Sequence, residues 1–519
     1  MSDEKPAVLL LGGSDEELAS ELKTRELTTK QYSSDWPGVE ETAGIQVVVF
    51  QFTGDDSVLS KFLPNALQYL DLGTKVSIFS NSEDLNSRAG ELIDSFAKSY
   101  ADQEDQSEDL GESSRYDIKR SISNYGPQKR RQLANECLSH RIDRIASREV
   151  DIDPKTNLAT ESDVDRSCRV LLSRAFSDCK HILVSNLSGG RSDVIGVWKV
   201  EATNSRDERL EPFVVKCGKK FIIDKEISSN RDYVEHHIPF HCHPSVNYDR
   251  CVFGALHRLL VSSFVDHATR FDDFVTHSSP SLGIAALFEG PLKIWRAPVH
   301  QKMDKIKFAQ AFQQDYRAIP RQEDHAVLAA SYEIAVKATS AVMHPRKLLD
   351  TLYGIDAVDC RLALAHGDLQ PRNIFVRQTS LDVVLIDFAA RKHESPMSRD
   401  PATLDVMLSF DVWGDDKCES DIAPLDDESI RTLYTPPLLA PPRRHSLSKR
   451  HEAIVRLRIE AASDSTEKEY EISVACILLR FLKRPVRPKP ERYKNQREHF
   501  RGLAYECASR LVEANKGSQ

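Results

Sequence analysis

The chain has 519 residues, more than a single hydrophobic core accommodates, so we expect two or three domains. It is 40% hydrophobic and 29% charged with a formal net charge of −9, a composition that fits a globular protein and argues against nucleic-acid binding. Ten cysteines without a CxxC pair indicate a reducing compartment. The acidic N-terminus and the lack of a long apolar run predict a cytoplasmic protein with neither a signal peptide nor a membrane helix.

Residues 1–98 alternate between strand patterns and helix patterns. The strand patterns are PAVLLLGG (6–13), IQVVVFQF (45–52) and TKVSIFSN (74–81), and each contains a continuous apolar run. Strands of this kind, separated by helices, are typical of a parallel sheet that is buried on both faces. We therefore predict an α/β N-terminal domain with a parallel sheet.

Residues 99–160 predict an acidic linker and a helix. The stretch DQEDQSEDLGE (102–112) holds six acidic residues and no basic residue, so it cannot bury a core. Beyond it, residues 161–515 predict an α+β domain with two lobes. The pattern favours a small antiparallel sheet with one helix over about 165–265 and a mostly helical lobe over about 266–515.

Four segments define the predicted small lobe. ILVSNLSGGRSDVIGVWKVEA (182–202) predicts two strands joined by a glycine turn, and PFVVKCG (212–218) predicts a third strand. DKEISSNRDYVEHHI (224–238) has a helical pattern, and GALHRLLVSSFV (254–265) predicts a further strand pair. The chemistry of the protein is expected in the segment that follows this lobe and its first helices.

That segment is LALAHGDLQPRNIFVRQTSLDVVLIDF (362–388). Asp368 begins a loop after a buried strand, Asn373 follows five residues later, and Asp387 stands at the exit of the next strand. An ordinary turn between two strands is one interpretation, but packing alone seldom produces polar residues at this spacing between apolar strands. Phosphoryl transfer needs a carboxylate beside the acceptor hydroxyl and oxygen ligands for Mg²⁺. The segment supplies both.

This arrangement resembles the catalytic loop and the metal-binding aspartate of protein-kinase-like enzymes. Its HGD form is similar to the aminoglycoside phosphotransferase and choline kinase branch. The resemblance implies that Asp368 is the catalytic base, that Asn373 and Asp387 bind Mg²⁺, and that His366 braces the loop. It also implies that ATP is the phosphoryl donor and that the acceptor is a hydroxyl of a small molecule or of a protein.

The same family places its nucleotide-binding residues upstream. Lys216, in PFVVKCG, matches the strand lysine that binds the α and β phosphates. Glu226, which we place at the start of the following helix, matches its ion-pair partner. Gly189 and Gly190, in SGGRS, lie where the family has its phosphate-covering hairpin, although an ordinary tight hairpin has the same composition.

The resemblance extends over about 165–515. SRDPATLD (398–405) is similar to the segment after the metal-binding aspartate, with Asp400 predicted as the N-cap and Pro401 as the first residue of a helix. Within the branch, this run is most similar to a bacterial group called ternary complex associated domains.

The N-terminal domain loosely resembles a response-regulator receiver. Receivers phosphorylate an aspartate at the end of the third strand with the help of an acidic pair after the first. Gln51 stands at about the position of that aspartate, and Gly12 and Gly13 stand where the acidic pair belongs. The resemblance therefore implies a pseudo-receiver that contacts a protein partner through residues 1–98.

Two further segments allow alternative interpretations. EHHIPFHCHP (235–244) is rich in histidine, but its spacing fits no familiar zinc site, and packing is the simpler account. KRPVRPKPERYKNQREHFR (483–501) carries eight Lys or Arg residues against two Glu, which indicates either a solvated face or a site for an anionic substrate or partner.

Two functions are consistent with these patterns. The first is an ATP- and Mg²⁺-dependent phosphotransferase that acts on a hydroxyl group. The alternative is a catalytically weak nucleotide-binding scaffold in a bacterial signalling assembly. The pseudo-receiver, the acidic linker and the Ala389–Ala390 pair after IDF favour the scaffold. The presence of Lys216, Asp368, Asn373 and Asp387 together favours catalysis.

Overall fold

Contacts within the chain define two compact units. The first comprises Met1–Ile227 and Ser245–Phe264, and the second comprises Ser228–Pro244 and Val265–Gln519. The computed structural model describes residues 7–13, 15–32, 45–104, 115, 117–140, 142, 144, 151–152, 163–187, 194–297, 301–313, 320, 325–339, 341–390, 392–410, 425–440, 448–483 and 491–516.

The first unit begins with the predicted parallel sheet, which has five strands in the order β2-β1-β3-β4-β5. All four strand pairs are parallel, and this order is one of the two common doubly wound orders. The strands are β1 (Ala7–Leu11), β2 (Thr28–Tyr32), β3 (Val47–Phe52), β4 (Lys75–Ser80) and β5 (Ile122–Tyr125). The helices are α1 (Glu16–Thr24), α2 (Asp56–Asp71), α3 (Glu83–Glu104) and α4 (Arg130–Ser139).

The sheet extends past residue 98, because β5 and α4 pack into the same cores. Ile122 contributes to the core on one side of the sheet, and Leu133 contributes to the core on the other. Between α3 and β5, residues 105–114, which include most of the acidic stretch, lie outside the described part of the chain. The N-terminal domain is hereafter the described residues from 7 to 140.

The small lobe is a six-stranded sheet in the order β10-β11-β9-β8-β7-β6, antiparallel except for the β6–β7 pair. Its strands are β6 (Asp151–Ile152), β7 (Cys179–Asn186), β8 (Val194–Asn204), β9 (Phe213–Lys219), β10 (Val252–Phe253) and β11 (His257–Ser263). Its helices are α5 (Asp163–Ala175) and α6 (Lys220–Ser229). The strand pair predicted within 254–265 is a hairpin whose first strand, β10, precedes residue 254.

A buried carboxylate joins the N-terminal domain to the small lobe within the first unit. Asp71, at the end of α2, accepts hydrogen bonds from the Ser167 hydroxyl at 2.6 Å and from the Ala255 N–H at 2.9 Å. The guanidinium of Arg174 donates to the backbone carbonyls of Asp71 and Phe253 at 2.6 and 2.7 Å. Burial raises the pKa of Asp71. Polar groups buried in this way are satisfied only while the two parts stay together.

The second unit is mostly helical, with two three-stranded sheets in the orders β12-β15-β16 and β13-β14-β17. Its strands are β12 (Ala268–Arg270), β13 (Lys302–Ile306), β14 (Val358–Ala365), β15 (Ile374–Arg377), β16 (Val383–Leu385) and β17 (Lys392–Pro396). Its helices are α7 (Phe271–His277), α8 (Pro280–Glu289), α9 (Pro291–Trp295), α10 (Phe308–Gln313), α11 (His325–Ala338), α12 (Pro345–Gly354), α13 (Arg399–Phe410), α14 (Asp427–Leu433), α15 (Lys449–Ala462), α16 (Glu467–Leu482) and α17 (Glu491–Asn515).

One large hydrophobic core fills this unit, and α13 and α16 pass through it with nearly all of their residues buried. Strands β14, β15 and β16 contribute their apolar residues to the same core. The loop between β14 and β15 therefore leaves from a rigid base. Within the described ranges, no helix combines the length and the apolarity that are needed to cross a bilayer.

Candidate active site

The structure brings Lys216 and Glu226 together in the first unit. Lys216 lies on β9, an inner strand that pairs with β8 and β11. Its Nζ is 2.5 Å from Oε2 of Glu226, and the two side chains are only 13% and 8% exposed. A mostly buried, hydrogen-bonded ion pair fixes the direction of the lysine side chain.

The helix that carries Glu226 begins earlier than the sequence pattern indicated. Helix α6 starts at Lys220, directly after β9, so Glu226 is its seventh residue and does not lie at its start. The N–H of Lys220 donates to the Leu256 carbonyl at 3.0 Å, which supplies a backbone acceptor at the first turn. The pattern missed this start because the residues KKFI are equally compatible with an extended strand.

In the second unit, Asp368 follows β14 and is buried at the base of a tight loop. The amide Nε2 of Gln370 donates to its Oδ2 at 3.0 Å, and Nη2 of Arg480 lies 3.5 Å from its Oδ1. The preceding residue, Gly367, has φ +79°, a left-handed conformation that favours glycine. Each carboxylate oxygen of Asp368 is thus contacted by the side chain of another residue.

A second layer of hydrogen bonds holds this loop. His366 is fully buried, and its Nε2 lies 2.9 Å from the carbonyl of Ile386, the residue before Asp387. The Asp400 carboxylate accepts the N–H groups of His366 and Gly367 at 2.7 and 3.0 Å. His366 therefore links the start of the loop to the segment before Asp387.

The prediction that Asp400 is an N-cap and that Pro401 is the first helical residue is wrong. Helix α13 begins at Arg399, so both residues lie inside its first turn. The Asp400 carboxylate instead accepts the buried N–H groups of His366 and Gly367, which would otherwise lack this acceptor.

A backbone hydrogen bond joins Asn373 to Ile386, the residue before Asp387. The Ile386 N–H donates to the Asn373 carbonyl at 3.0 Å, and Nδ2 of Asn373 donates to the Asp368 carbonyl at 2.9 Å. With Nδ2 bonded within the loop, the Asn373 amide presents Oδ1 as its atom for a cation. Asp387 has φ +65°, which is uncommon for a non-glycine residue. The backbone at Asp387 therefore departs from the extended conformation of the preceding strand β16. Carboxylate and amide oxygens are hard ligands, so the donor atoms of these two side chains are of the type that Mg²⁺ prefers.

Basic side chains from three elements lie near the loop. Arg480, near the end of α16, also approaches the Gly367 carbonyl at 3.4 Å. Burial, reinforced by the charge of Arg480, lowers the pKa of Arg399 to about 9, so Arg399 stays charged at neutral pH. Burial and then the charge of Arg480 also lower the pKa of Lys392, whose Cα is paired with that of Ala365 at the end of β14. Arg480 therefore lies close to the Asp368 loop, and its charge also acts on Arg399 and Lys392.

Several of these contacts were not predicted from the sequence. Gln370 lies within the segment 362–388, and its position two residues after Asp368 could have indicated a contact between the two side chains. Arg480 carries no such signal, because it lies on α16, far along the chain, and reaches Asp368 only through tertiary packing. Gly189 and Gly190 lie outside the described residues.

The histidine-rich segment does not form a metal site among the described residues, where no group of three or more His, Cys, Asp or Glu side chains is arranged to hold an ion. Burial lowers the pKa of His243, and its Nδ1 lies 3.1 Å from the Pro244 carbonyl. This contact fits a packed histidine.

No protein-family model matches the chain, and no curated protein matches it in sequence. Solved structures are similar to it at low levels. A protein named as a fructosamine-3-kinase from Haemophilus somnus 129PT is 12% identical with a TM-score of 0.34, over 66% of this chain and 95% of that one. An ethanolamine kinase from Plasmodium vivax is 11% identical with a TM-score of 0.33, over 68% and 91%.

A third similar structure is an aminoglycoside phosphotransferase from Streptomyces rimosus ATCC10970 in complex with ADP and streptomycin. It is 14% identical with a TM-score of 0.26, over 66% of this chain and 98% of that one. These TM-scores are below 0.5, so the function of this chain has to be argued from its own residues.

Proposed function

We propose that the protein is an ATP- and Mg²⁺-dependent phosphotransferase that moves the γ-phosphoryl group to a hydroxyl. The observation that carries the proposal is the bonded unit formed by Asp368, Asn373 and the segment before Asp387. Nδ2 of Asn373 donates to the Asp368 carbonyl, and the Asn373 carbonyl accepts the Ile386 N–H. A carboxylate for the acceptor and oxygen ligands for a cation are thereby fixed on one framework.

Lys216 and Glu226 supply the nucleotide part of the proposal. The ion pair keeps the Lys216 ammonium extended from β9, where it can bind the non-transferred phosphates of ATP. Gly189 and Gly190 are proposed to cover the phosphates through their backbone N–H groups. Asn373 and Asp387 would hold Mg²⁺, which when bound neutralises charge on the phosphate oxygens.

Asp368 is the proposed catalytic base. Its carboxylate would accept a hydrogen bond from the acceptor hydroxyl and orient the oxygen toward the γ-phosphorus. It would take the proton as the new O–P bond forms and the bond from the γ-phosphorus to the bridging oxygen breaks, with ADP as the leaving group. Gln370 and Arg480 hold the two oxygens of Asp368 in place, which reduces the reorganisation needed in the transition state.

The acceptor is proposed to be a hydroxylated small molecule or a protein, and the N-terminal domain is proposed to be a pseudo-receiver. Gln51 is buried at the end of β3, and a Cβ at Gly12, which has φ +89°, would lie 2.8 Å from the Gln51 carbonyl. The close approach supports glycine at this position for packing. Gln51 has no carboxylate to phosphorylate, so protein contacts are the proposed role of the domain.

Calorimetric titration of ATP with and without Mg²⁺, combined with an ATP hydrolysis assay, tests the proposal. We expect Mg²⁺-dependent binding and slow hydrolysis in the wild type, and loss of the Mg²⁺ dependence in Asp387→Ala. The matched control is Asp359→Ala, which removes an exposed carboxylate of β14. Binding without hydrolysis would favour the nucleotide-binding scaffold over the phosphotransferase. No binding in the wild type would refute both functions.

A further inference from the structure

The N-terminal domain contacts the helix that carries Glu226. Asp117, just ahead of β5, lies 3.3 Å from the ammonium of Lys220, the first residue of α6. Both side chains are largely buried, at 17% and 20% exposure. Partial burial makes such an ion pair stronger and less screened by salt than one on the surface.

A second ionic contact acts on the same face of α6. Asp224 pairs with Arg258 of β11, and the charge of Asp117 also acts on Arg258 by opposing the pKa decrease that burial causes. Residues 220 and 224 are one turn apart and share a face, whereas residue 226 is turned by about 200° from residue 224. Helix α6 therefore presents one face to these contacts and the opposite face, with Glu226, to Lys216.

The hairpin between β10 and β11 provides a backbone route to the same helix. Ala255 and Leu256 belong to the hydrophobic core of the N-terminal domain, and the Ala255 N–H donates to the buried Asp71. The Leu256 carbonyl accepts the N–H of Lys220. A hairpin anchored in one core thus holds the first turn of α6.

From these contacts we infer that the N-terminal domain positions α6, and that Asp117 and Lys220 are positioning residues for the Lys216–Glu226 pair. The inference rests on the proposed function for its catalytic meaning, because the pair is proposed to bind ATP phosphates. The positioning itself concerns only the contacts of the first unit. A domain that has Gln51 at the position of the receiver aspartate would then act as a support for the helix of the proposed nucleotide site.

The test measures acylation of the Lys216 amine by N-hydroxysuccinimidyl acetate in the full-length protein, followed by peptide mass spectrometry. Asp117→Lys or Lys220→Asp should raise the acylation rate of Lys216 about fivefold. Each substitution breaks a partly buried ionic contact that holds helix α6, and Glu226 on that helix then pairs less firmly with Lys216. The double variant, which restores the pair with exchanged charges, should return the rate to near the wild-type value. Asp207→Lys, which breaks the exposed Lys180 pair, should leave it unchanged.

Unchanged Lys216 acylation in the single variants would overturn the inference, even if their melting temperatures fell, because a merely structural ion pair would lower stability alone. If Asp117→Lys does not fold, Asp117→Asn removes the charge without adding bulk and gives the same comparison. The readout needs no ATP. Failure of the wild type to bind ATP would therefore refute the proposed function and leave the positioning result standing.

Discussion

The ammonium of Lys216 lies 2.5 Å from the carboxylate of Glu226, and this ion pair joins an inner strand of the small lobe to helix α6. The two residues lie on different elements, so the pair forms only when β9 and α6 are correctly packed. It belongs to the part of the proposed nucleotide site that lies in the first unit.

Replacement of Glu226 by Gln should weaken the binding of Mg²⁺·ATP about tenfold or more. The reason is that a charge-assisted hydrogen bond, worth about 1.5–3 kcal/mol, no longer directs the lysine. Calorimetry gives the dissociation constants. Glu211→Gln, at an exposed glutamate just before β9, is the control and should bind like the wild type. Equal affinities for wild type and Glu226→Gln would exclude a nucleotide role for the pair.

Replacement of Asp368 by Asn should leave ATP affinity intact and slow phosphoryl transfer by about 10²–10⁴-fold, the usual contribution of a general base. The amide retains the shape and can still contact Gln370, but it cannot take the acceptor proton. ATP hydrolysis or transfer is measured at saturating ATP. Retention of the wild-type rate would remove Asp368 from the mechanism, while Asp359→Asn should behave as the wild type.

The central elements of the fold were predictable from sequence because burial on both faces leaves a continuous apolar pattern. Strand β3 shows this, since all six of its residues are buried. Strand β2, TTKQY, is exposed along its whole length, and β5, ISNY, is short and half polar. An edge strand has no such pattern. The sequence therefore predicted the three inner strands of the sheet but not its two edge strands, β2 and β5.

The residues of the candidate site also fall into a group that was predictable from sequence and a group that was not. Asp368 and Asn373 share one loop, so their spacing in sequence already places them close together. Asp400 and Arg480 reach the loop from α13 and α16 through packing that no local pattern encodes. The start of α6 was also missed, because a strand that passes directly into a helix has no turn residues between them.

Replacement of Asp400 by Ala should destabilise the protein by about 2–5 kcal/mol. The carboxylate accepts two buried N–H groups, those of His366 and Gly367, and its loss leaves both without this acceptor. Urea unfolding followed by tryptophan fluorescence measures the change, with Asp350→Ala on an exposed position of α12 as the control. Asp400→Asn keeps one oxygen acceptor and should lose less. Equal stability of Asp400→Ala and the wild type would contradict the bracing role.

Stability should also depend on pH through His257. Burial, with a smaller effect of Lys219, lowers the pKa of His257 to about 4. A histidine with a depressed folded pKa contributes stability that is complete above the unfolded value, near 6.5, and is lost as the pH falls toward 4. Between pH 7 and pH 5 the loss from this group should be about 2 kcal/mol.

The measurement compares free energies of unfolding for the wild type and His257→Gln at the two pH values. The difference between the two proteins should shrink by about 2 kcal/mol on going to pH 5, because the variant has no imidazole to protonate on unfolding. Other titrating groups cancel in this difference. A pH-independent difference for His257→Gln would mean that His257 titrates alike in the folded and unfolded chains.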